Sequence, residues 1–251
     1  MNSIVQEKYK SNTQALNKII TDFDDKGEQF VNGKRNTIKL FDLGDLKINI
    51  KSFKVPNIFN QLAYKHLRKS KAQRSFEYAN ILIDKGIKTP FPIAYYEFTT
   101  TLLFKRSFYV SEHLIYDLTY RELIHDFNYP DYDAILRAFT RFTFKLHNLD
   151  VNFLDHSPGN TLIKKVGDDY EFYLVDLNRM KFSPITFEDR IKNFARLTEH
   201  KSMVKTMSDE YAKCLNEDPE KVFNLMWSYT QEFQYKFNRK KELKKKFLFW
   251  R

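Results

Sequence analysis

Three polar residues in the second half of the chain have the types and the spacing that phosphoryl transfer requires. Asn160 follows Asp155 by five positions, and Asp176 follows Asp155 by 21 positions. The chemistry needs a carboxylate that accepts or orients the proton of the acceptor hydroxyl, and oxygen ligands that hold magnesium against the phosphates. Catalytic loops for this reaction place an Asn five residues after the Asp. The spacing therefore predicts Asp155 as the catalytic base, and Asn160 and Asp176 as metal ligands.

The segments around these residues predict a tight turn followed by a β-hairpin. Ser157-Pro158-Gly159 lies between Asp155 and Asn160, and Pro and Gly favour a sharp bend that turns both side chains toward one cleft. A hairpin turn is predicted at residues 167–169. The apolar strand that follows is expected to end at residues 172–175, which puts Asp176 at its end.

Two charged residues upstream are predicted to anchor the nucleotide phosphates. Lys51 lies in the alternating stretch 46–53, on the face opposite to Ile48 and Ile50, and Lys54 is the alternative if the register has slipped. Glu77, on the next helix, is predicted to pair with Lys51.

Two further positions are predicted to contact the nucleotide. Gly33 lies in a turn with Lys34 and Arg35 beside it, where backbone amides and basic side chains can cover phosphates, although an ordinary Asn-Gly hairpin turn fits equally well. Residues 109–114, including Glu112, are predicted to be a hinge whose backbone meets adenine.

The elements that must position these residues predict an α+β fold with two lobes of protein-kinase-like type. Residues 1–112 are expected to form the N-terminal, nucleotide-binding lobe, and residues 113–251 a mainly helical C-terminal lobe. Residues 1–20 are predicted to be a loose helix or an extended arm. The other predicted elements are three strands within 28–54, helix over 58–85 ending at Gly86, two strands within 93–114, an amphipathic helix over 135–149, and helices over 186–247.

Composition limits the partners that the chain can have. It has 251 residues, a formal charge of +10 and a single cysteine, Cys214, which excludes an internal disulfide framework. The charge favours an anionic partner, and no nucleic-acid-binding motif is found, so nucleic acid is not expected. The start of the chain is polar and no stretch reaches the ~18 apolar residues of a membrane span, so a cytoplasmic protein is expected.

Two strongly basic segments and two histidines are further candidates for a functional role. The tail 238–251 ends in aromatic residues, which fits either an anionic membrane surface or a solvated helix end. The basic stretch 64–74 suits anionic sugars or phosphates. His147 is expected to be a packed core residue, and His156 is assigned no role.

Several segments together resemble the lipopolysaccharide kinase (Kdo/WaaP) family. They are residues 51–56, 68–79, 86–90, 155–160 and 175–179. The resemblance implies ATP and Mg²⁺, and phosphate transfer to a Kdo or heptose hydroxyl of the lipopolysaccharide inner core. It also implies a cytoplasmic enzyme, peripheral to the inner membrane. By matching position, it implies that Asp155 is the catalytic base, that Asn160 and Asp176 bind the metal, and that Lys51 and Glu77 form the pair that anchors the phosphates.

The sequence departs from kinase patterns at three places. Phe153 stands where a catalytic loop usually has His, Leu177-Asn178 follows Asp176 in place of Phe-Gly, and no Ala-Pro-Glu element follows. The last absence favours a small or glycolipid acceptor over a protein. The alternatives are a non-catalytic kinase-like binding protein and a small-molecule kinase of the aminoglycoside or choline type.

Overall fold

A computed structural model describes residues 1–33 and 36–248 of the chain, with the backbone alone for His66, Phe247 and Leu248. The chain divides into two compact units. The first comprises Met1–Ile115 together with Val175–Asn178, and the second comprises Tyr116–Leu174 together with Arg179–Arg251.

The first unit is built on one antiparallel sheet. Its strands are β1 (Asn2–Val5), β2 (Glu28–Asn32), β3 (Asn36–Leu43), β4 (Leu46–Phe53), β5 (Pro92–Thr99) and β6 (Phe104–Glu112). They lie in the order β1-β5-β6-β4-β3-β2. Its helices are α1 (Thr13–Thr21), α2 (Ile58–His66) and α3 (Lys71–Asp84). The predicted three-strand meander corresponds to β2, β3 and β4.

Each face of this sheet is covered by a different helix. Strand residues alternate between faces, so Ile48 and Ile50 of β4 share one apolar face, where Leu16 and Ile20 of α1 pack against them. On the other face, Phe53 belongs to a cluster with Ala72 and Phe76 of α3. The side chains of residues 46–53 therefore point alternately to two faces of the sheet, each of which is covered by a helix.

The start of the chain is more ordered than the sequence predicted. β1 pairs with β5, joining Ser3 to Tyr96, and a 3₁₀ helix over Glu7–Asn12 leads into α1. The partner strand is about ninety residues away in sequence, so no local pattern could reveal the pairing.

The predicted helix over 58–85 is two helices. α2 ends at His66, and α3 begins after Ser70, whose side chain accepts a hydrogen bond from the backbone of Gln73. A serine in this position satisfies an amide that a helix start leaves unpaired, so Ser70 fixes where α3 begins.

The second unit is mainly helical. Its helices are α4 (Tyr120–His125), α5 (Tyr132–Asn148), α6 (Phe187–Lys192), α7 (Lys201–Leu215) and α8 (Pro219–Leu248). Its strands are β7 (Leu118–Thr119), β8 (Val151–Phe153), β9 (Thr161–Val166), β10 (Asp169–Leu174) and β11 (Met180–Phe182). Ile135, Leu136, Phe139 and Leu146 of α5 are fully buried, as the three- and four-residue spacing predicted.

No helix in the described ranges is both long enough and apolar enough to cross a membrane.

Candidate active site

Lys51 lies on β4, on the sheet face opposite to Ile48. Its side chain is 12% exposed, and its Nζ lies 2.7 Å from Oδ1 of Asp176, which belongs to the same unit. The alternative residue, Lys54, lies just beyond the end of β4 and is exposed. Lys51 is therefore the strand lysine that contacts a carboxylate predicted to bind metal.

Asp176 lies two residues beyond β10, which ends earlier than predicted. Leu174 pairs with Thr161, the first residue of β9, so the hairpin has no partner for the chain beyond this point. The backbone of Asp176 has a φ of 58°, and its Oδ1 accepts a hydrogen bond of 2.6 Å from the side chain of Asn178. A left-handed residue other than Gly costs about 1 kcal/mol or more and persists where contacts hold it, often at functional sites.

Glu77 has other partners than the predicted one. Its carboxylate lies 2.7 Å from Nζ of Lys69 and accepts a hydrogen bond of 3.0 Å from Gln73. Gln73 lies one turn earlier on the same face of α3, so it reaches Glu77 directly. Lys51 contacts Asp176, and in the part of the chain that the structure describes no ion pair joins Lys51 to Glu77. The predicted pairing of these two residues stays a prediction.

Gly33 closes the turn between β2 and β3. Its backbone N–H donates a hydrogen bond of 3.1 Å to the carbonyl of Asn36. Lys34 and Arg35, which were predicted to lie beside the phosphates, are outside the described residues.

Glu112, at the end of β6, forms hydrogen bonds within the first unit through both its side chain and its backbone. The carboxylate accepts hydrogen bonds from the hydroxyl of Tyr9 and, at 3.1 Å, from Nζ of Lys8. Its N–H donates to the carbonyl of Phe91, and the N–H of His113 donates to the carbonyl of Lys47, both at 2.9 Å. The amides of Glu112 and His113 therefore both have backbone partners.

Asp155 and Asn160 are brought together within the second unit by the predicted tight turn. Residues 158–160 form a 3₁₀ turn, and the amide nitrogen of Asn160 donates a hydrogen bond of 2.8 Å to the backbone carbonyl of Asp155. The Asp155 carboxylate lies 2.7 Å from Nη1 of Arg196 and 3.9 Å from Nη1 of Arg179. The loop thus presents a carboxylate held between two cations, with a carboxamide beside it.

Each unit contributes one side chain that was predicted to bind magnesium. Asn160 turns its nitrogen to Asp155, which leaves its Oδ1 as an oxygen donor, and Asp176 supplies a carboxylate. Magnesium prefers hard oxygen ligands and completes its shell with phosphates and water. Among the residues that the structure describes, no group of three or more His, Cys, Asp or Glu side chains comes together as a metal cluster.

Asn193, immediately after α6, holds the start of the predicted catalytic loop. Its Nδ2 donates hydrogen bonds to the carbonyl of Phe153, at 2.9 Å, and to Oδ1 of Asn152, at 3.2 Å. Its Oδ1 lies 3.0 Å from Nδ1 of His156 and 3.2 Å from Nε2 of His147. Since the amide nitrogen faces two acceptors, the oxygen must accept from both rings, which assigns a proton to each of those ring nitrogens.

The two histidines are neutral core residues. His147 is fully buried, as predicted, and its Nδ1 accepts a hydrogen bond of 2.6 Å from the hydroxyl of Tyr211. Burial lowers the pKa of His147 to about 3 and the pKa of His156 to about 4. The ring of His156 stacks on Phe153 at a centroid distance of 5.8 Å.

Acid is expected to destabilise the protein through these two rings. In the unfolded chain each titrates near pH 6.5, so their contribution to stability is complete above that pH. It is lost as the pH falls from about 6.5 toward 4 and then 3, by about 1.4 kcal/mol per pH unit for each ring. The free energy of unfolding, measured in urea at pH 7 and pH 5, should therefore fall steeply.

A matched pair of variants tests whether the buried histidines cause this pH dependence of the free energy of unfolding. His147→Gln keeps a donor and an acceptor but cannot titrate, so the difference between pH 7 and pH 5 should shrink. The same substitution at exposed His125 should leave the difference as in the wild type. An unchanged slope in His147→Gln would contradict the assignment of a neutral buried ring.

Sequence reasoning missed Arg196 and Asn193, which contact Asp155 and the residues just before it. They lie 41 and 38 positions after Asp155, in a segment without a motif or a strong periodicity. The only available signal was the pair of histidines, because a buried neutral imidazole requires a polar partner.

Comparisons with known proteins concern the family and the fold of the chain. The model of the lipopolysaccharide kinase (Kdo/WaaP) family matches residues 43–216, which is more than half of the chain. A search of curated proteins gave no match. Among solved structures, the chain is similar to one titled "WaaP in complex with acyl carrier protein", with a TM-score of 0.65 and 16% identity, over 95% of this chain and 99% of that chain. That likeness confirms the predicted α+β, protein-kinase-like fold. From the family match, the chain belongs to the lipopolysaccharide kinase (Kdo/WaaP) family.

Proposed function

We propose that the chain is a kinase that transfers phosphate from ATP to a sugar hydroxyl of the lipopolysaccharide inner core, on Kdo or heptose. The observation that carries the proposal is the 2.7 Å contact between Lys51 and Asp176. A half-buried ion pair contributes little to stability because desolvation offsets its attraction. A lysine that can hold phosphates beside a carboxylate that can hold magnesium suits nucleotide binding.

Each residue has a distinct task in this proposal. Asp155 accepts or orients the proton of the acceptor hydroxyl, and Arg196 fixes the direction of its carboxylate. Lys51 holds the phosphates that are not transferred. Asn160 and Asp176 offer oxygens to magnesium, which supplies charge neutralisation of the phosphates when bound.

Three further residues have proposed roles in nucleotide binding. Gly33 belongs to the turn that lies over the phosphates, and the hinge that contains Glu112 lies along the adenine. Glu77 stabilises Lys51 once the lysine turns from Asp176 toward phosphate, which requires Glu77 to leave Lys69.

The proposal is tested by a transfer assay with labelled ATP, magnesium and a purified lipid A–core acceptor. The wild type is expected to label the acceptor. Lys51→Met should reduce the rate by about 10²-fold or more, because the phosphates lose a charge that is strongest during transfer. Lys47→Met, an exposed lysine on the same strand, should retain the wild-type rate.

Other outcomes distinguish the alternatives. ATP binding without transfer to any acceptor would support a non-catalytic binding protein. Transfer to an aminoglycoside or to choline, and not to the glycolipid, would support a small-molecule kinase. No binding of ATP with magnesium, by thermal shift, would overturn the kinase proposal.

We also propose that the end of α8 holds the enzyme on the cytoplasmic face of the inner membrane. Residues 236–246 contain seven Lys or Arg and one Glu, and residues 235–246 are all exposed. Tyr235 is 66% exposed, Phe237 54% and Leu243 46%. Basic residues near an anionic bilayer add about 1 kcal/mol each, and aromatic residues enter its interface. Phe249, Trp250 and Arg251 of the predicted tail are outside the described residues.

Changing the tail lysines is expected to weaken membrane binding. Five substitutions to Gln at 240, 241, 244, 245 and 246 should lower binding to vesicles containing anionic phosphatidylglycerol by at least tenfold in a sedimentation assay. The matched control carries Gln at five exposed lysines elsewhere in the same unit, 165, 201, 205, 213 and 221. Equal binding by the tail variant and the wild type would rule the tail out as the anchor.

A further inference from the structure

A cavity of about 320 Å³ lies in the second unit, next to the loop that carries Asp155. Leu154 and His156, the residues on either side of Asp155, line it together with Arg196. The volume is at the lower end of the range of small-molecule sites, about 300 to 1,000 Å³, and suits a ligand the size of one sugar. The proposed function does not yet assign this cavity to any ligand.

Arg196 connects the cavity to the proposed catalytic base. Its Nη1 lies 2.7 Å from Oδ1 of Asp155 and donates a hydrogen bond of 3.2 Å to the carbonyl of Leu154. A group bound in the cavity therefore lies against the arginine that orients Asp155, so the cavity is close to where an acceptor hydroxyl must be deprotonated.

Two aromatic residues of α8 hold the cations of the cavity in place. Tyr229 and Phe233 are four residues apart and lie on one face of the helix. Nζ of Lys192 lies 5.5 Å from the ring centroid of Tyr229, and the guanidinium of Arg196 lies 5.6 Å from that of Phe233. Cation–π contacts of this kind fix a cation without neutralising it.

Lys192 is the cation that remains for a ligand. The cavity also contains Asp189, Glu232 and Lys236, and Lys236 forms an ion pair with Glu232. Arg196 is paired with Asp155. Within the described residues, Lys192 forms no ion pair; Lys236 first and Lys192 second lower the pKa of Glu232, and Glu232 is already paired with Lys236. The ammonium of Lys192 is therefore available to an anionic group of a bound molecule.

We propose that this cavity binds an acidic sugar unit of the acceptor, with Lys192 on its carboxylate. The inference rests on the proposed function and adds to it the acceptor subsite and its chemistry. Arg196, shared between the cavity and Asp155, is then a positioning residue that links occupation of the subsite to the direction of the base.

Binding of free Kdo to the protein without nucleotide tests the subsite directly. We expect a dissociation constant on the order of 1 mM by calorimetry, which is ordinary for a ligand of this size. Lys192→Met should weaken binding about tenfold, because a charge-assisted hydrogen bond is lost. The control Lys205→Met, in α7 and outside the cavity, should bind Kdo as the wild type does. Equal binding by Lys192→Met and the wild type would overturn the proposal.

Two other probes separate sugar recognition from simple attraction of anions. Glucose, a neutral sugar, should bind at least tenfold more weakly than Kdo. Inorganic phosphate should also bind more weakly, because it lacks the hydroxyls that fill the cavity. Phosphate binding as tight as Kdo binding would show an anion site without sugar recognition, and would overturn the proposal.

Kinetics separate failure of the subsite from failure of the proposed function. With a Kdo-containing acceptor, Lys192→Met should raise KM about tenfold and change kcat by less than about twofold. An unchanged KM in an active enzyme would overturn the subsite and leave the kinase function standing. If no acceptor is phosphorylated, the function fails, and the Kdo titration still decides the subsite.

Discussion

Asp155→Asn is expected to lower the turnover number by about 10²- to 10⁴-fold, the range that general-base catalysis contributes. The substitution keeps the size of the side chain and removes its ability to accept a proton. The fold should be unaffected, because Asp155 and Arg196 are 21% and 35% exposed, and ion pairs with such access to water contribute at most about 1 kcal/mol. The measurement is the initial rate of phosphate transfer to lipid A–core under saturating ATP.

A control separates this effect from a general loss of negative charge. Asp168 is an exposed residue in the turn between β9 and β10, and Asp168→Asn should keep the wild-type rate. Circular dichroism should be the same for both variants and the wild type, and the thermal midpoint of Asp155→Asn should lie within about 4 °C of the wild-type value. Retention of more than half of the rate by Asp155→Asn would exclude Asp155 as the base.

Local sequence patterns were sufficient to predict the part of the site that strands and short turns form. The alternation of Leu46, Ile48 and Ile50 placed Lys51 on the opposite face, and the Ser-Pro-Gly turn brought Asn160 back to the carbonyl of Asp155. In both cases the decisive geometry is set by residues within about six positions of each other. Period-two alternation and the restricted backbone of proline are properties that a sequence displays directly.

Long-range pairing accounts for what the sequence did not predict. Glu77 was expected to meet Lys51, but the choice among Lys69, Gln73 and Lys51 depends on side-chain positions in the folded unit. Arg196 reaches Asp155 from 41 residues further along the chain. The Asp155–Arg196 contact has no local signature, because any charged residue in a polar segment looks alike before the chain folds, whereas the Gln73–Glu77 contact is a local pair one helical turn apart.

Phe153 illustrates how a departure from a motif can be compatible with an ordered loop. Its carbonyl, which any residue would supply, accepts the hydrogen bond from Asn193. Its ring is fully buried and stacks on His156, the imidazole that binds the Oδ1 of Asn193. The loop is therefore held by its backbone at 153 and by an imidazole at 156, so the missing histidine at 153 is not an argument against an ordered catalytic loop.

Asn193→Leu is expected to lower the free energy of unfolding by about 3 kcal/mol or more. Leu has a similar volume, so the loss comes from the hydrogen bonds of the amide and not from a cavity. His147, His156, Asn152 and the Phe153 carbonyl each lose a partner. A buried polar group left without a partner costs about 1 to 3 kcal/mol. Four such groups should together cost about 3 kcal/mol or more, even if the surrounding structure relaxes and recovers part of the loss. Urea denaturation at pH 7 measures the difference.

The matched control is Asn224→Leu, at an exposed position of α8, where the same change should alter stability by less than about 0.5 kcal/mol. The two variants share the chemical change and differ only in what the amide contacts. Because Asn193 also holds the residue two positions before Asp155, the variant should lose activity at temperatures where it is still folded. Near-wild-type stability of Asn193→Leu would mean that the two imidazoles and the Phe153 carbonyl find other partners, and that Asn193 does not hold the catalytic loop.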